Sequence, residues 1–175
     1  MSTVYIALGA NLGNREANLR MALRAMTRMA RVQAVSALYE SEPEGGVAQP
    51  AYYNAVCRIE TGLEPLPLLR FLKGLEHEIG RRPTSEPKGP RPIDLDILMF
   101  DDRVVDSDDL VIPHPRMTSR PFVLTPLAEL APDLSITGAG DTAAALAKKA
   151  GDAALNRIAA AGWDGVAGAT QRMRL

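Results

Sequence analysis

Residues 53–60, Tyr-Asn-Ala-Val-Cys-Arg-Ile-Glu, decide the fold. Ala55, Cys57 and Ile59 alternate with Val56, Arg58 and Glu60, the period of a strand. Upstream, Val32–Tyr39 reads as another strand. Between the two lies a loop, Ser41-Glu42-Pro43-Glu44-Gly45-Gly46, whose glycines suit a positive-φ turn. Two strands thus follow each other with no helix between them. Working outward, Thr3–Leu8 is a short apolar strand broken by Gly9–Asn14. From Arg15 the spacing turns helical, with Leu19, Ala22, Leu23, Met26, Met29 and Ala30 on one face and Asn14 or Asn11 as cap. Pro65 opens a second helix with a stripe of Leu68, Leu69, Leu72, Leu75 and Ile79, and Gly80 closes it. Ile93–Phe100 is the next strand. The order β-α-β-β-α-β predicts an α+β fold of the split-βαβ, ferredoxin-like kind. Beyond it, Arg103–Val105 and Leu110–Ile112 suit a small hairpin. Phe122–Leu130 suits a short helix, and Thr142–Ala161 an alanine-rich one. Residues 1–175 read as one domain.

Composition narrows the function. The 20 basic and 21 acidic residues leave a net charge of -1, which gives no global pull toward nucleic acid or an anionic membrane. The single cysteine, Cys57, excludes an intrachain disulfide and a cysteine-clustered metal site, and reads as a small buried hydrophobe. With no apolar run of about 20 residues and no basic leader, the expected location is the cytoplasm.

The chemistry concentrates in Gly-Pro-Arg-Pro-Ile-Asp-Leu-Asp-Ile-Leu (89–98). On a strand, Asp94 and Asp96 project to one face, with Leu98 and Phe100 expected to follow them, while Ile93, Leu95 and Ile97 face the other way. Two like charges on a mostly apolar face call for a compensating cation. Oxygen ligands without a cysteine or histidine cluster favour Mg²⁺ or Mn²⁺. Just upstream, Arg81, Arg82, Lys88 and Arg91 stand against Glu86 alone, a basic loop suited to a polyphosphate. Arg91, between two prolines at the root of the strand, is expected to matter most, Arg81 less and Lys88 least. A second cluster, Ile-Pro-His-Pro-Arg-Met (112–117), leads to Arg120 and Phe122. No phosphate-binding loop of the Gly-x-x-x-x-Gly-Lys type occurs.

These two motifs, with Tyr5-Ile6-Ala7-Leu8-Gly9-x-Asn11-Leu12-Gly13 and Gln49-Pro50-x-Tyr52-x-Asn54, resemble the signature of the 6-hydroxymethyl-7,8-dihydropterin pyrophosphokinases over about residues 3–135. The resemblance implies a ferredoxin-like α+β fold. It also implies transfer of the terminal diphosphate of ATP to the pterin hydroxymethyl group, with two Mg²⁺ ions and AMP as leaving product. It implies that Asp94 and Asp96 are metal ligands. Ser41, Asn54 and the backbone around Pro43 and Gly45 would recognise the pterin, with Tyr52 beside it and Phe122 stacked on it. Arg81, Arg91, His114 and Arg120 would hold the triphosphate, and Glu76 and Ile97 would form the nucleotide wall. The expected partners are the two small substrates, with the protein a monomer. Three positions depart from the pattern. Pro83 stands where many members carry a second arginine, Lys88 where an aromatic is common, and Asp109 where some carry a basic residue. Two other readings share these residues: a noncatalytic pterin- or nucleotide-binding paralogue, and a metal-dependent phosphohydrolase that uses water as nucleophile.

Overall fold

The computed structural model describes residues 1–46, 48–83 and 88–167; Glu86, the acid of the basic loop, lies outside them. The chain runs β1 (Ser2–Ala10), α1 (Arg15–Met26), β2 (Ala30–Val35), β3 (Leu38–Ser41), β4 (Tyr52–Thr61), α2 (Pro65–Ile79) and β5 (Asp94–Phe100). A hairpin of β6 (Val105–Asp106) and β7 (Val111–Ile112) follows, then α3 (Pro121–Leu130). A second small hairpin joins β8 (Ser135–Ile136) to β9 (Asp141–Thr142), and α4 (Ala143–Ala150) and β10 (Asn156–Ala159) complete the order. The main sheet is antiparallel throughout, in the order β10-β3-β4-β1-β5, with β2 also on β4.

Local chemistry sets the helix ends. Asn14, not Asn11, caps α1, its side-chain oxygen accepting the Ala17 N–H at 3.0 Å. Pro65 starts α2, and Gly80 ends it in the left-handed region at φ 114°. Helices α1 and α2 cover one face of the sheet through Leu19, Leu23, Leu68, Leu72 and Leu75, packed on Ile6, Leu8, Cys57, Leu95 and Ile97. Helices α3 and α4 lie on the other face, where Val123, Leu127 and Ala143 meet Tyr5, Val56, Leu98 and Met99.

Four sequence expectations need correction. The first helix ends at Met26, so Met29 and Ala30, read on its face, fall in the turn after it and at the start of β2. Val32–Tyr39 is not one strand. Val35 faces Cys57 and Tyr39 faces Asn54, so four steps oppose three, and the chain breaks at Ser36. The Ser36 hydroxyl accepts the Val56 N–H at 3.0 Å and donates to the Ala37 carbonyl at 2.8 Å, which satisfies backbone groups that the bulge frees. Phe100 does not follow Asp94 and Asp96. Tyr5 pairs with Met99 and Ile6 with Ile97, so a bulge at Leu98 turns Phe100 to the α1/α2 face. The alanine-rich helix stops at Ala150 before Gly151, because only Ala143 of it is buried and nothing anchors further turns. The chain instead returns as β10 to the edge of β3, and Trp163 donates its indole N–H to the Ser36 carbonyl at 2.9 Å. Among the described residues no helix is long and apolar enough to cross a membrane.

Cys57 is fully buried, and burial first, with the charge of Asp164 second, pushes its thiol from 9.0 up to about 12. The folded chain keeps a proton that the unfolded chain gives up near pH 9. That share of stability is therefore present below pH 9 and lost as pH rises from 9 to 12. Denaturant midpoints should fall less steeply over this range in Cys57→Ala than in the parent chain. A thiol reagent that labels the native parent at pH 8 would contradict the burial.

Candidate active site

Strand register assembles the site. Gly9 on β1 pairs with Asn54 on β4 and Asp94 on β5, and Ala7 pairs with Val56 and Asp96. Neighbouring strands are about 4.8 Å apart, so Asn54 and Asp94 stand roughly 10 Å from each other across a floor of two small residues. A Cβ at Gly9 would meet Tyr52 Cδ1 at 3.5 Å and Asn54 Oδ1 at 3.7 Å. This row opens into a cavity of about 410 Å³. Ten of the fourteen residues singled out in the sequence line it: Ser41, Tyr52, Asn54, Arg81, Arg91, Asp94, Asp96, His114, Arg120 and Phe122.

Four do not. Ile97 is buried in the α1/α2 core, as its parity opposite Asp96 requires. Glu76 lines an adjoining cavity of about 580 Å³ that shares Lys73, Arg81 and Arg91 with the first. Pro43 and Gly45 belong to the loop above the site without lining it, and Gly45 packs against the Lys88 side chain. Sequence reasoning in turn missed Glu42, Glu44, Gln49 and Lys73, all in the cavity wall. Two of these carried a signal: Gln49 opens the quoted Gln49-Pro50-x-Tyr52-x-Asn54 motif without having been given a role, and Lys73 has i,i+3 spacing to Glu76 on α2.

The two ends of the cavity differ chemically. At one end the Asn54 amide donates to Ser41 Oγ at 2.8 Å, while its Oδ1 accepts no hydrogen bond from the described residues. Phe122 stands in the same wall at the start of α3, with the Arg120 guanidinium 5.5 Å from its ring centre. An aromatic face and a free amide edge suit a flat heterocycle. At the other end, Arg81 donates to Asp94 Oδ1 at 2.8 Å and to Glu76 Oε2 at 2.7 Å, and Arg91 donates to Asp94 Oδ2 at 3.2 Å. Glu76 also accepts the Leu95 N–H at 2.8 Å and Lys73 Nζ at 3.0 Å. Burial pushes its carboxyl up against the pull of Lys73, Leu95 and Arg81. Glu76 is thus a buried anchor that orients Arg81.

Arg91 has a fixed backbone. Its N–H donates to Asn11 Oδ1 at 2.8 Å and its carbonyl accepts the Asn11 N–H at 3.0 Å. The Asn11 amide reaches on to Gln49 and the Pro50 carbonyl. One asparagine, left without the cap role, ties three loops together at the mouth.

Asp96 is held above the usual carboxylate range by burial first and by the negative charge of Asp94 second. His114 Nε2 lies 3.9 Å from its Oδ2, beyond hydrogen-bonding distance. Burial lowers the imidazole pKa against the pull of Asp96, and Nδ1 accepts the Arg116 N–H at 3.2 Å. Two adjacent carboxylates, one of them without a hydrogen-bond donor among the described residues, form an oxygen donor set that fits a small hard cation. Among the described residues no group of three or more acids, histidines or cysteines offers a complete cage, so remaining ligands would come from substrate and water.

The chain matches known proteins over this region. A family model described as 7,8-dihydro-6-hydroxymethylpterin-pyrophosphokinase matches residues 5–132. The 2-amino-4-hydroxy-6-hydroxymethyldihydropteridine pyrophosphokinase of Pseudomonas aeruginosa is 45% identical over 135 residues, which cover 76% of this chain and 83% of that protein. The folic acid synthesis protein FOL1 of Dictyostelium discoideum is 40% identical over 130 residues, 74% of this chain. The match covers only 20% of that longer protein. Among solved structures, the Plasmodium falciparum HPPK-DHPS superposes with a TM-score of 0.70 at 18% identity, over 85% of this chain and 45% of that one.

Proposed function

Since the chain belongs to the 7,8-dihydro-6-hydroxymethylpterin-pyrophosphokinase family, we propose that it transfers the terminal diphosphate of ATP to 6-hydroxymethyl-7,8-dihydropterin, a step of folate biosynthesis. The observation that carries this reading is the Asn54–Gly9–Asp94 row: a flat, amide-edged pocket and a carboxylate–arginine cluster share one floor. A pterin lying between Asn54 and Phe122 would direct its hydroxymethyl group toward Asp94 and Asp96. The hydroxyl oxygen bonds to the β-phosphorus as its proton passes to water, the bond from that phosphorus to the α-phosphate oxygen breaks, and AMP leaves with the electron pair. Such a displacement needs alignment and charge neutralisation rather than a covalent helper.

Asp94 and Asp96 would hold Mg²⁺, two ions on the family pattern, which when bound neutralises charge on the transferring phosphates. Arg81 and Arg91, paired with Asp94, would donate to phosphate oxygens from the positions they already hold. Arg120 and His114 would take the rest of the triphosphate. We read the β2/β3-β4-β1-β5 order as the ferredoxin-like split βαβ, residues 1–175 as one pyrophosphokinase domain, and the protein as a cytoplasmic monomer.

Incubating the protein with ATP, Mg²⁺ and the reduced hydroxymethylpterin should release AMP only when pterin is present. AMP or phosphate release without pterin would favour the hydrolase reading; binding without turnover would favour the noncatalytic one. Asn54→Ala and Phe122→Ala should each weaken pterin binding by about fivefold or more, since an unpaired polar edge or a lost ring face costs about 1–3 kcal/mol. Calorimetry should show ATP binding alone unchanged in both. Equal pterin affinity in parent and variants would remove the pocket.

A further inference from the structure

A cavity suited to a polyanion has two glutamates in its wall, Glu42 and Glu44, both on the loop after β3. Glu44 Oε2 accepts a hydrogen bond from Arg120 Nη2 at 2.9 Å, across 76 residues of sequence. The two partners are unequal. Arg120 is 9% exposed, and its Nε is buried without a partner among the described residues. Its backbone is held at both ends: the N–H donates to the Met117 carbonyl, and its own carbonyl accepts from Val123 and Leu124 at the start of α3. The Glu44 side chain is half exposed, on a turn where Gly45 and Gly46 take φ of 86° and 68°. The cation is fixed and the carboxylate is the partner able to move.

We propose that Glu44 is an internal carboxylate ligand of Arg120, seated on the guanidinium until a nucleotide phosphate replaces it. The proposal rests on the reading of Arg120 as a phosphate-holding residue. A guanidinium presents the same fork of donors to a carboxylate and to a phosphate, and the phosphate carries more charge. A buried guanidinium without an anion is costly. With Glu44 in place the nucleotide does not meet a bare cation but exchanges one anion for another. The exchange releases the 42–46 loop, which borders Ser41 and the amide end of the cavity, so nucleotide arrival is felt at the pterin end. By linkage, pterin contacts that draw the loop away from Arg120 strengthen nucleotide binding to the same degree.

Calorimetry of the full chain with a nonhydrolysable ATP analogue and Mg²⁺ tests this. Glu44→Gln should bind the analogue about three- to fivefold more tightly than the parent, the range expected for a half-exposed ion pair that no longer competes. Glu42→Gln removes the same charge from the same loop without touching the pair, and should change affinity by less than about twofold. In an Arg120→Gln background, Glu44→Gln should bring no gain. Unchanged or weaker binding by Glu44→Gln overturns the proposal, as does an equal gain in the Glu42 variant or a gain that survives without Arg120. In those cases analogue binding by the parent still supports the nucleotide site. A parent chain that binds no analogue overturns both readings.

Discussion

Asp96→Asn is expected to lower turnover by about a thousandfold, the scale on which a preorganised electrostatic contact is lost from a transition state, while the folded protein becomes no less stable. The second half of that expectation comes from the site as it stands. Asp96 is desolvated beside a like charge and accepts no hydrogen bond from the described residues, so an amide of the same shape relieves repulsion. Asp94→Asn should cost turnover similarly but with the opposite effect on stability. Asp94 carries ion pairs to both Arg81 and Arg91, and its loss leaves two partly buried cations less compensated. Thermal melts and steady-state rates on the two variants check both halves at once. Near-normal turnover in either variant at saturating Mg²⁺ would refute the proposed role of the carboxylates as metal ligands. Identical melting shifts in the two would refute the electrostatic account.

The second large effect is expected at Arg91. Its backbone is locked to Asn11 by two hydrogen bonds, and its side chain lies on Asp94 at the root of β5. A charge held there needs no reordering when negative charge develops on the phosphates, whereas a tethered one must first lose its freedom. Arg91→Ala should therefore lower kcat/KM by about a hundredfold or more. Arg81 follows α2, with its N–H bonded to the Glu76 carbonyl and its guanidinium anchored by the Glu76 carboxylate. Its removal should rank second. Lys88 packs along Gly45 with a flexible stem, and Lys88→Ala should be mild. A series in which Lys88 dominates would mean that this lysine has assumed the work of the arginine that Pro83 replaces.

How much of this was legible in sequence depends on the range of the forces involved. The parity of Asp94 and Asp96, the helix between Pro65 and Gly80, and the burial of Cys57 are set within a few residues, and reading them needs only a period or a cap. Phe100 escaped because a bulge at Leu98 depends on how β5 registers against β1, which no local alternation reveals. The break at Ser36 has the same origin in the pairing with β4. Residues 156–159 gave no strand signal of their own; they become β10 because β3 offers an unpaired edge, and that nonlocal pairing overrides the helix preference of alanine. Within the site, strand parity turns Ser41, Tyr52, Asn54, Asp94 and Asp96 into the cavity, and the other five lining positions stand in the motifs at loop and helix ends. Glu76 and Ile97 sit behind the cavity wall rather than in it, a distinction of depth that a motif does not encode. Glu44 meets Arg120 only after the whole sheet has folded.

The indole of Trp163 is the chain's one tryptophan, it is nearly enclosed, and it rests on the Ser36 carbonyl at the β2/β3 break. The cavity wall contains none. Intrinsic emission excited at the red edge of the aromatic band therefore comes from a single, known address outside the cavity wall. A shift of that emission to longer wavelength, with the helices and the rest of the sheet unchanged, would time the detachment of the segment that carries β10 without any added dye.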